Sequence, residues 1–389
     1  MKPLVVGLGT LILALVVWTV PSFISQTGSK TDVAAPGAGT PRDSASGGTA
    51  DSLAGASPTI ELPRRGVMPP VRTIGTFVPY WSGLESLSAD PADVLYYFGI
   101  TVNTAGVVTD EPGFAKLDAF VSAAGNRRRH LTVRMLDRDM NAEILQNSDS
   151  HERIADSIAA TALQYGFDGV VLDLEVGLVS FHIAPASITA FAETVGESLQ
   201  RENLHFAMTL YGDTFYRKRP YDIKALGKLA DEVLIMAYDF HKSFGTPGPN
   251  FPLNGREEYG YDFTTMIGDF TRAVPPEKIT VIFGMYGYEW YVDDQDRPSK
   301  SAEALTLVQA KRRFGTGTNP PGESPRACSQ SLCTVRRDPI SAEVEARTKT
   351  ENGRTLVVWY EDDESVRRKR VVMEAAGVEN LAYWAYGYY

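Results

Sequence analysis

The sequence predicts an α/β protein of the (β/α)8 TIM-barrel class, and three observations lead there. Eight apolar, strand-like runs alternate with amphipathic, helix-like runs over most of the chain. The segment they occupy, 71–389, is about 320 residues long, enough for one large barrel. A doubly wound sheet is the competing architecture, but no glycine-rich dinucleotide loop follows an early strand.

The expected strands are Thr76–Tyr80, Val94–Thr101, Leu131–Leu136, Gly169–Leu174, His205–Tyr211, Glu232–Tyr238, Ile279–Met285 and Leu381–Ala385. Each is a short apolar run, as buried parallel strands require. Helical periodicity is expected over Gly113–Ala124, His151–Tyr165, Ser187–Arg201, Tyr221–Ala230, Phe263–Ala273 and Glu364–Ala376. Between the first two strands, Ser86–Val94 is too short for a strong helix. The run Arg127–Arg129 reads as a solvated helix end.

One segment breaks the rhythm. Residues 290–361 separate the seventh strand from the last helix, far more than an ordinary βα loop needs. They hold a helical pattern at Ala302–Arg312 and a hairpin signal at Asn352-Gly353. A small α+β insertion is expected there, either as one wall of a substrate groove or as a purely structural lobe. The only cysteines, Cys328 and Cys333, lie in a Pro/Gly/Ser-rich part of it, a spacing that suits a local disulfide in an exported chain.

The N-terminus reads differently. Lys2 precedes an apolar run from Leu4 to Val20, so 1–25 is expected to be a signal peptide or membrane anchor, with an uncleaved anchor favoured. Residues 26–70 are rich in Gly, Ala, Ser, Thr and Pro and poor in large apolar side chains, the composition of a disordered linker. The chain is therefore expected to act outside the cytoplasm, anchored or secreted, as a monomer. Its net charge of −10, without an extended basic patch, argues against nucleic acid as a partner.

The chemistry starts at FDGVVLDLE, residues 167–175. In a strand, positions i and i+2 face the same way with Cα atoms about 6.6 Å apart, so Val171, Asp173 and Glu175 share a face. Two carboxylates that close do not both ionise freely, and one retains its proton near neutrality. Alone, such a pair is weak evidence. Three further segments sit at other predicted strand ends: IMAYDF with Met236, Tyr238 and Asp239; LAYWAYGYY with Trp384; and FVPYWSG with Tyr80 and Trp81.

Together these resemble glycoside hydrolase family 18, the chitinase-like barrels. The family pattern DxxDxDxE falls on Asp168, Val171, Asp173 and Glu175, and MxYD falls on Met236, Tyr238 and Asp239. The resemblance implies Glu175 as the general acid. It implies Asp173 as the group that orients the substrate's N-acetyl arm, and Tyr238, helped by Asp239, as a hydrogen-bond donor to that acetamide. Trp384 would floor the subsite of the cleaved sugar. Each has a plainer alternative: Glu175 as a solvated strand end, Trp384 as core, Asp168 as a turn residue. Tyr80 and Trp81 could stack on sugars or pack the barrel mouth. Tyr211, Tyr286 and Glu289 could line the groove, and His241 follows Asp239 closely enough to line it too.

The implied activity is substrate-assisted, retaining cleavage of β-1,4 bonds after N-acetylglucosamine in chitin-like or peptidoglycan glycans. A silent carbohydrate-binding barrel and an endo-N-acetylglucosaminidase acting on N-glycans are the alternatives. Position 171 departs from the pattern, with valine where typical chitinases carry aspartate. In this the chain resembles the branch of spore-cortex and peptidoglycan N-acetylglucosaminidases. No cofactor is expected, and no metal-ligand cluster is visible among the five histidines.

Overall fold

Eight parallel strands close a barrel: β1 (Thr73–Pro79), β2 (Val94–Ile100), β3 (Arg128–Met135), β4 (Gly169–Leu174), β5 (His205–Tyr211), β6 (Glu232–Ala237), β7 (Ile279–Gly284) and β8 (Asn380–Trp384). Each pairs with its neighbours in sequence, and β8 closes onto β1. The computed structural model describes residues 72–177, 183–315, 333–350 and 353–389. The expected N-terminal anchor, the linker and Cys328 lie outside these, so the Cys328–Cys333 pairing does too. Among the described residues no helix is long and apolar enough to cross a membrane.

Alternation along each strand sorts the core into two layers. Leu95, Tyr97, Leu131, Val133, Val170 and Leu172 face outward and pack against the helices. Phe77, Tyr96, Phe98, Val171, Ala207, Leu234, Met236, Ile282 and Ala382 fill the barrel interior. This two-faced burial is why the strands read as continuous apolar runs.

The helices follow the expected pattern, with informative differences. Only a short 3-10 turn, Leu87–Ala89, joins β1 to β2. The run Arg127–Arg129 leads into β3, whose first residue is Arg128, and Arg127 donates to the carbonyls of Leu87 and Asp90. A helix at Arg138–Gln146 was not expected. Asp137 caps it, its carboxylate accepting from the amides of Asp139 and Met140.

After β7 the chain enters an antiparallel sheet of five strands, in the order Glu303–Thr306, Tyr286–Val292, Thr355–Tyr360, Val344–Lys349, Thr334–Arg337. This sheet begins at Tyr286, four residues before the expected boundary. The alternating pattern YGYEWYV carries the strand signal, and Gly287 is needed because a Cβ there would meet the Trp359 carbonyl. The helix expected over Ala302–Arg312 is also corrected. Glu303–Thr306 is a strand, and Thr306 then caps the helix Leu307–Phe314 in a reciprocal box with Gln309.

Candidate active site

The C-terminal ends of the strands gather most of the residues singled out above. Asp173 and Glu175 sit at the end of β4 with Val171 below them. Asp173 is 3% exposed and accepts a 2.5 Å hydrogen bond from the Thr209 hydroxyl of β5. Glu175 is half-buried, and its Oε2 accepts from the Tyr211 hydroxyl at 2.6 Å. Burial and the adjacent Glu175 carboxylate push the Asp173 carboxyl up to about 8, against the opposing pull of Thr209. Burial also raises Glu175, while Tyr211, Lys242 and Arg219 act the other way. Both carboxyls therefore resist ionisation, and the pair retains a proton near neutrality.

The backbone carrying Glu175 is clamped from two sides. Asn141 Nδ2 donates to the carbonyls of Met135 (2.7 Å) and Glu175 (3.1 Å). The Tyr221 hydroxyl accepts from the Val176 amide (2.7 Å) and donates to the Leu174 carbonyl (2.8 Å). Asn141 lies six residues past β3 and Tyr221 ten past β5, and neither carries a sequence signal of its own.

Tyr238 and Trp384 form the aromatic floor. Their rings stack with centroids 6.4 Å apart, and Trp384 meets Phe98 edge-on at 4.7 Å. The Tyr238 hydroxyl makes no hydrogen bond among the described residues, and burial with three nearby carboxylates keeps it protonated. It is free to donate into the cleft. Met236 is buried in the interior cluster beneath these rings, a packing position rather than a contact surface. Trp81 stands at the mouth, 44% exposed, edge-on to Tyr80 at 4.9 Å.

Asp239 occupies a left-handed backbone position (φ 57°), and its amide donates to Asn250 Oδ1. Its carboxylate accepts from the hydroxyls of Tyr286 and of Tyr288 (2.8 Å), which leaves the Tyr238 hydroxyl unengaged beside it. Tyr211, expected to contact substrate, commits its hydroxyl to Glu175. Glu289 lies in the inserted sheet and pairs with Arg313 at 2.6 Å. His241 Nδ1 bonds the Pro249 carbonyl, a structural role. Asp168 accepts from the Arg129 amide at 2.9 Å, as a turn residue should.

Three cations also edge the cleft. Arg134, on β3 beside Asp173 in register, stacks on Tyr80 (5.0 Å) and Phe98 (5.5 Å) and reaches Glu111 at 3.4 Å. Arg219 lies over the Tyr211 ring at 3.9 Å, and Lys242 at 5.7 Å. A polar relay ties this region to the insertion. Asn250, which holds Asp239, donates its amide to Glu343 at 2.6 Å, and Glu343 bonds the fully buried Lys369 at 2.9 Å.

The cleft itself gathers no metal-ligand set among the described residues. The absence of such a cluster elsewhere, read from the sequence, is corrected by the fold. His130, His205 and Glu232 come together at the opposite end of the barrel. Their separation in sequence hides what three parallel strands bring together.

The sequence profile of "Glycosyl hydrolases family 18" matches residues 123–388. The chain belongs to glycoside hydrolase family 18. Within that family it is 22% identical over 307 residues to a "Cortical fragment-lytic enzyme" of Bacillus anthracis, covering 75% of this chain and 64% of that protein. It is 25% identical over 264 residues to an "Endochitinase" of Brugia malayi, covering 62% of this chain and 49% of that one. The chain thus spans less than two thirds of either relative. Among solved structures, it is similar to the spore cortex-lytic enzyme SleL of Bacillus cereus, with TM-score 0.65, 20% identity, and 83% and 72% of the two chains covered. A family 18 N-acetylglucosaminidase of Paenibacillus barengoltzii gives TM-score 0.64 at 17% identity, covering 81% and 95%. At these identities the solved structures carry the fold alone.

Proposed function

We propose that this family 18 glycosidase hydrolyses β-1,4 bonds after N-acetylglucosamine in peptidoglycan, outside the cytoplasm, by substrate-assisted retention. The observation that carries the mechanism is a carboxyl pair that keeps a proton near neutrality beside a phenol with an uncommitted hydroxyl. Glu175 protonates the glycosidic oxygen. The substrate's own acetamide carbonyl attacks the anomeric carbon as the bond breaks, giving a cyclic oxazolinium that water then opens. Asp173 orients the acetamide and balances its developing positive charge. Tyr238 donates to the acetamide oxygen, and Trp384 supplies an apolar platform for the sugar face.

Peptidoglycan is favoured over chitin by charge. The chain carries −10 overall, yet Lys242 stands near the carboxyl pair with no ion partner among the described residues, while Arg134 and Arg219 are paired with Glu111 and Asp213. Chitin is uncharged, whereas N-acetylmuramic acid bears a lactyl carboxylate or a peptide extension of it. Similarity to the cortical fragment-lytic enzymes of Bacillus supports the same choice.

The test is a mass-spectrometric product profile on purified peptidoglycan, chitin oligomers and a high-mannose N-glycan. Muropeptides ending in reducing N-acetylglucosamine, formed faster than chitobiose from chitin, are expected. Preferred release from chitin or from the N-glycan core would overturn the substrate. Binding without any product would reassign the chain to the carbohydrate-binding class.

A further inference from the structure

The barrel floor, at the N-terminal ends of the strands, carries a polar cluster that the proposed chemistry does not use. His130, His205 and Glu232 enter it from β3, β5 and β6, and their ligand-competent atoms all lie within 4.8 Å of one another. Gly169 of β4 explains the approach, since it is the register partner of both histidines. A Cβ at that position would stand 2.7 Å from His205 Cβ and 3.1 Å from His130 Cδ2. Without it, the two imidazoles stack with centroids 4.9 Å apart.

Two further observations give the cluster the character of a binding site. His130 is 3% exposed, and its Nδ1 is buried with no hydrogen-bond partner among the described residues. Leaving a ring nitrogen buried and unpaired is costly, which marks this imidazole as one whose polar atoms the fold alone does not satisfy. Glu232, meanwhile, is held by surrounding donors: the Tyr96 hydroxyl at 3.1 Å and the Thr280 hydroxyl. Such outer contacts orient metal-binding carboxylates. Glu232 Oε2 lies 3.3 Å from His205 Nε2. Two ligands on a tetrahedral zinc with bonds near 2.0–2.1 Å are separated by about 3.3 Å, so this edge needs little rearrangement.

We propose that His130, His205 and Glu232 form a site for one divalent transition-metal ion, with Zn2+ the best match to two imidazoles and a carboxylate. The ion would fasten three strands, β3, β5 and β6, across the intervening β4, at the end of the barrel away from the cleft. The side chains of His205 and Glu232 are 36% and 15% exposed, which gives the ion a route in from solvent. The competing account is a metal-free floor in which His205 and Glu232 simply share a hydrogen bond.

Isothermal titration of the metal-stripped full chain with ZnCl2 distinguishes the two, with a thermal melt in parallel. One Zn2+ per chain and a higher melting temperature are expected. His130→Ala and His205→Gln should each weaken binding by more than about tenfold while hydrolysis by the metal-stripped protein stays at the wild-type level. His205→Gln keeps a polar side chain at the partly exposed position, so it remains informative if His130→Ala fails to fold. Mg2+ at the same concentration should produce no heat. Absence of saturable Zn2+ binding by the wild type, or binding retained when His205 is replaced, would overturn the site.

Discussion

Two pairs of buried carboxylates lie within this molecule, and they have been resolved in opposite ways. Glu343 and Glu361 flank Lys369, all three side chains being fully buried, and Lys369 bridges them. The remaining acceptor capacity of Glu343 goes to the amides of Asn250 and Phe251. Asp173 and Glu175 have no ammonium between them. Hydroxyls from Thr209 and Tyr211 hold them, and Glu175 stays partly open to the cleft. Lys369 ties one pair into the sealed interior, whereas the other, held only by hydroxyls, keeps a proton within reach of the cleft. Burial of charge is common to both; what differs is the counter-charge and the access to solvent.

The largest expected effect is on the open pair. Glu175→Gln keeps the shape and the Tyr211 contact but has no proton to give, and turnover should fall by about 10²–10⁴-fold with the melting temperature nearly unchanged. Wild-type turnover in this variant would remove Glu175 from the acid role. The sealed pair should show the reverse. Lys369→Met strands two carboxylates in the interior and should cost about 3–5 kcal/mol in a denaturant titration. A loss under 1 kcal/mol, about the worth of a surface pair, would show that the triad is not the tie it looks like.

The pH dependence of stability is smaller and involves both pairs. Burial raises Asp173 from 3.8 to about 8, and Glu361 from 4.5 to about 8 despite Lys369. A carboxyl whose folded value lies above its unfolded value favours the folded chain in acid and loses that contribution as pH rises through the interval. Stability should therefore decline between about pH 4 and pH 8. Asp173→Asn should remove only part of the slope, leaving what Glu361 contributes. An unchanged slope would show that Asp173 ionises at its ordinary value. The smallest effect belongs to Tyr211→Phe. Its hydroxyl stabilises ionised Glu175, so removing it should raise the Glu175 pKa and move the alkaline limb of kcat/KM upward. Movement downward would contradict that hydrogen bond.

The barrel was legible because buried parallel strands leave uninterrupted apolar runs, and β4 and β5 match their expected bounds residue for residue. The carboxyl pair was legible from the two-residue period of a strand. What escaped was chemistry assembled across strands. Arg134 is one unremarked arginine in LTVRML, and only the register with Asp173 brings it to the cleft. Asn141 and Tyr221 act through backbone groups that no side-chain motif records. The floor cluster joins residues 75 and 27 positions apart by sequence number, with a glycine as its enabling residue. The helix at Arg138–Gln146 had a readable signal in Asp137 as its cap, obscured by the charge of DRDMN.

The inserted sheet has a mechanical consequence. Only Met285 separates β7 from its first strand, and Glu361 and Asp362 alone separate its strand Thr355–Tyr360 from the helix Asp363–Ala375. Met285 itself is fastened, donating its amide to the Trp384 carbonyl at 2.7 Å. Among the described residues, a lobe joined at both ends by such short links and pinned to Asp239 by two of its tyrosines shows no hinge on which to swing. Its side of the cleft is a fixed cheek rather than a jaw. On the proposed activity, the pace of product release should then be set by sugar contacts along this cheek and not by its opening.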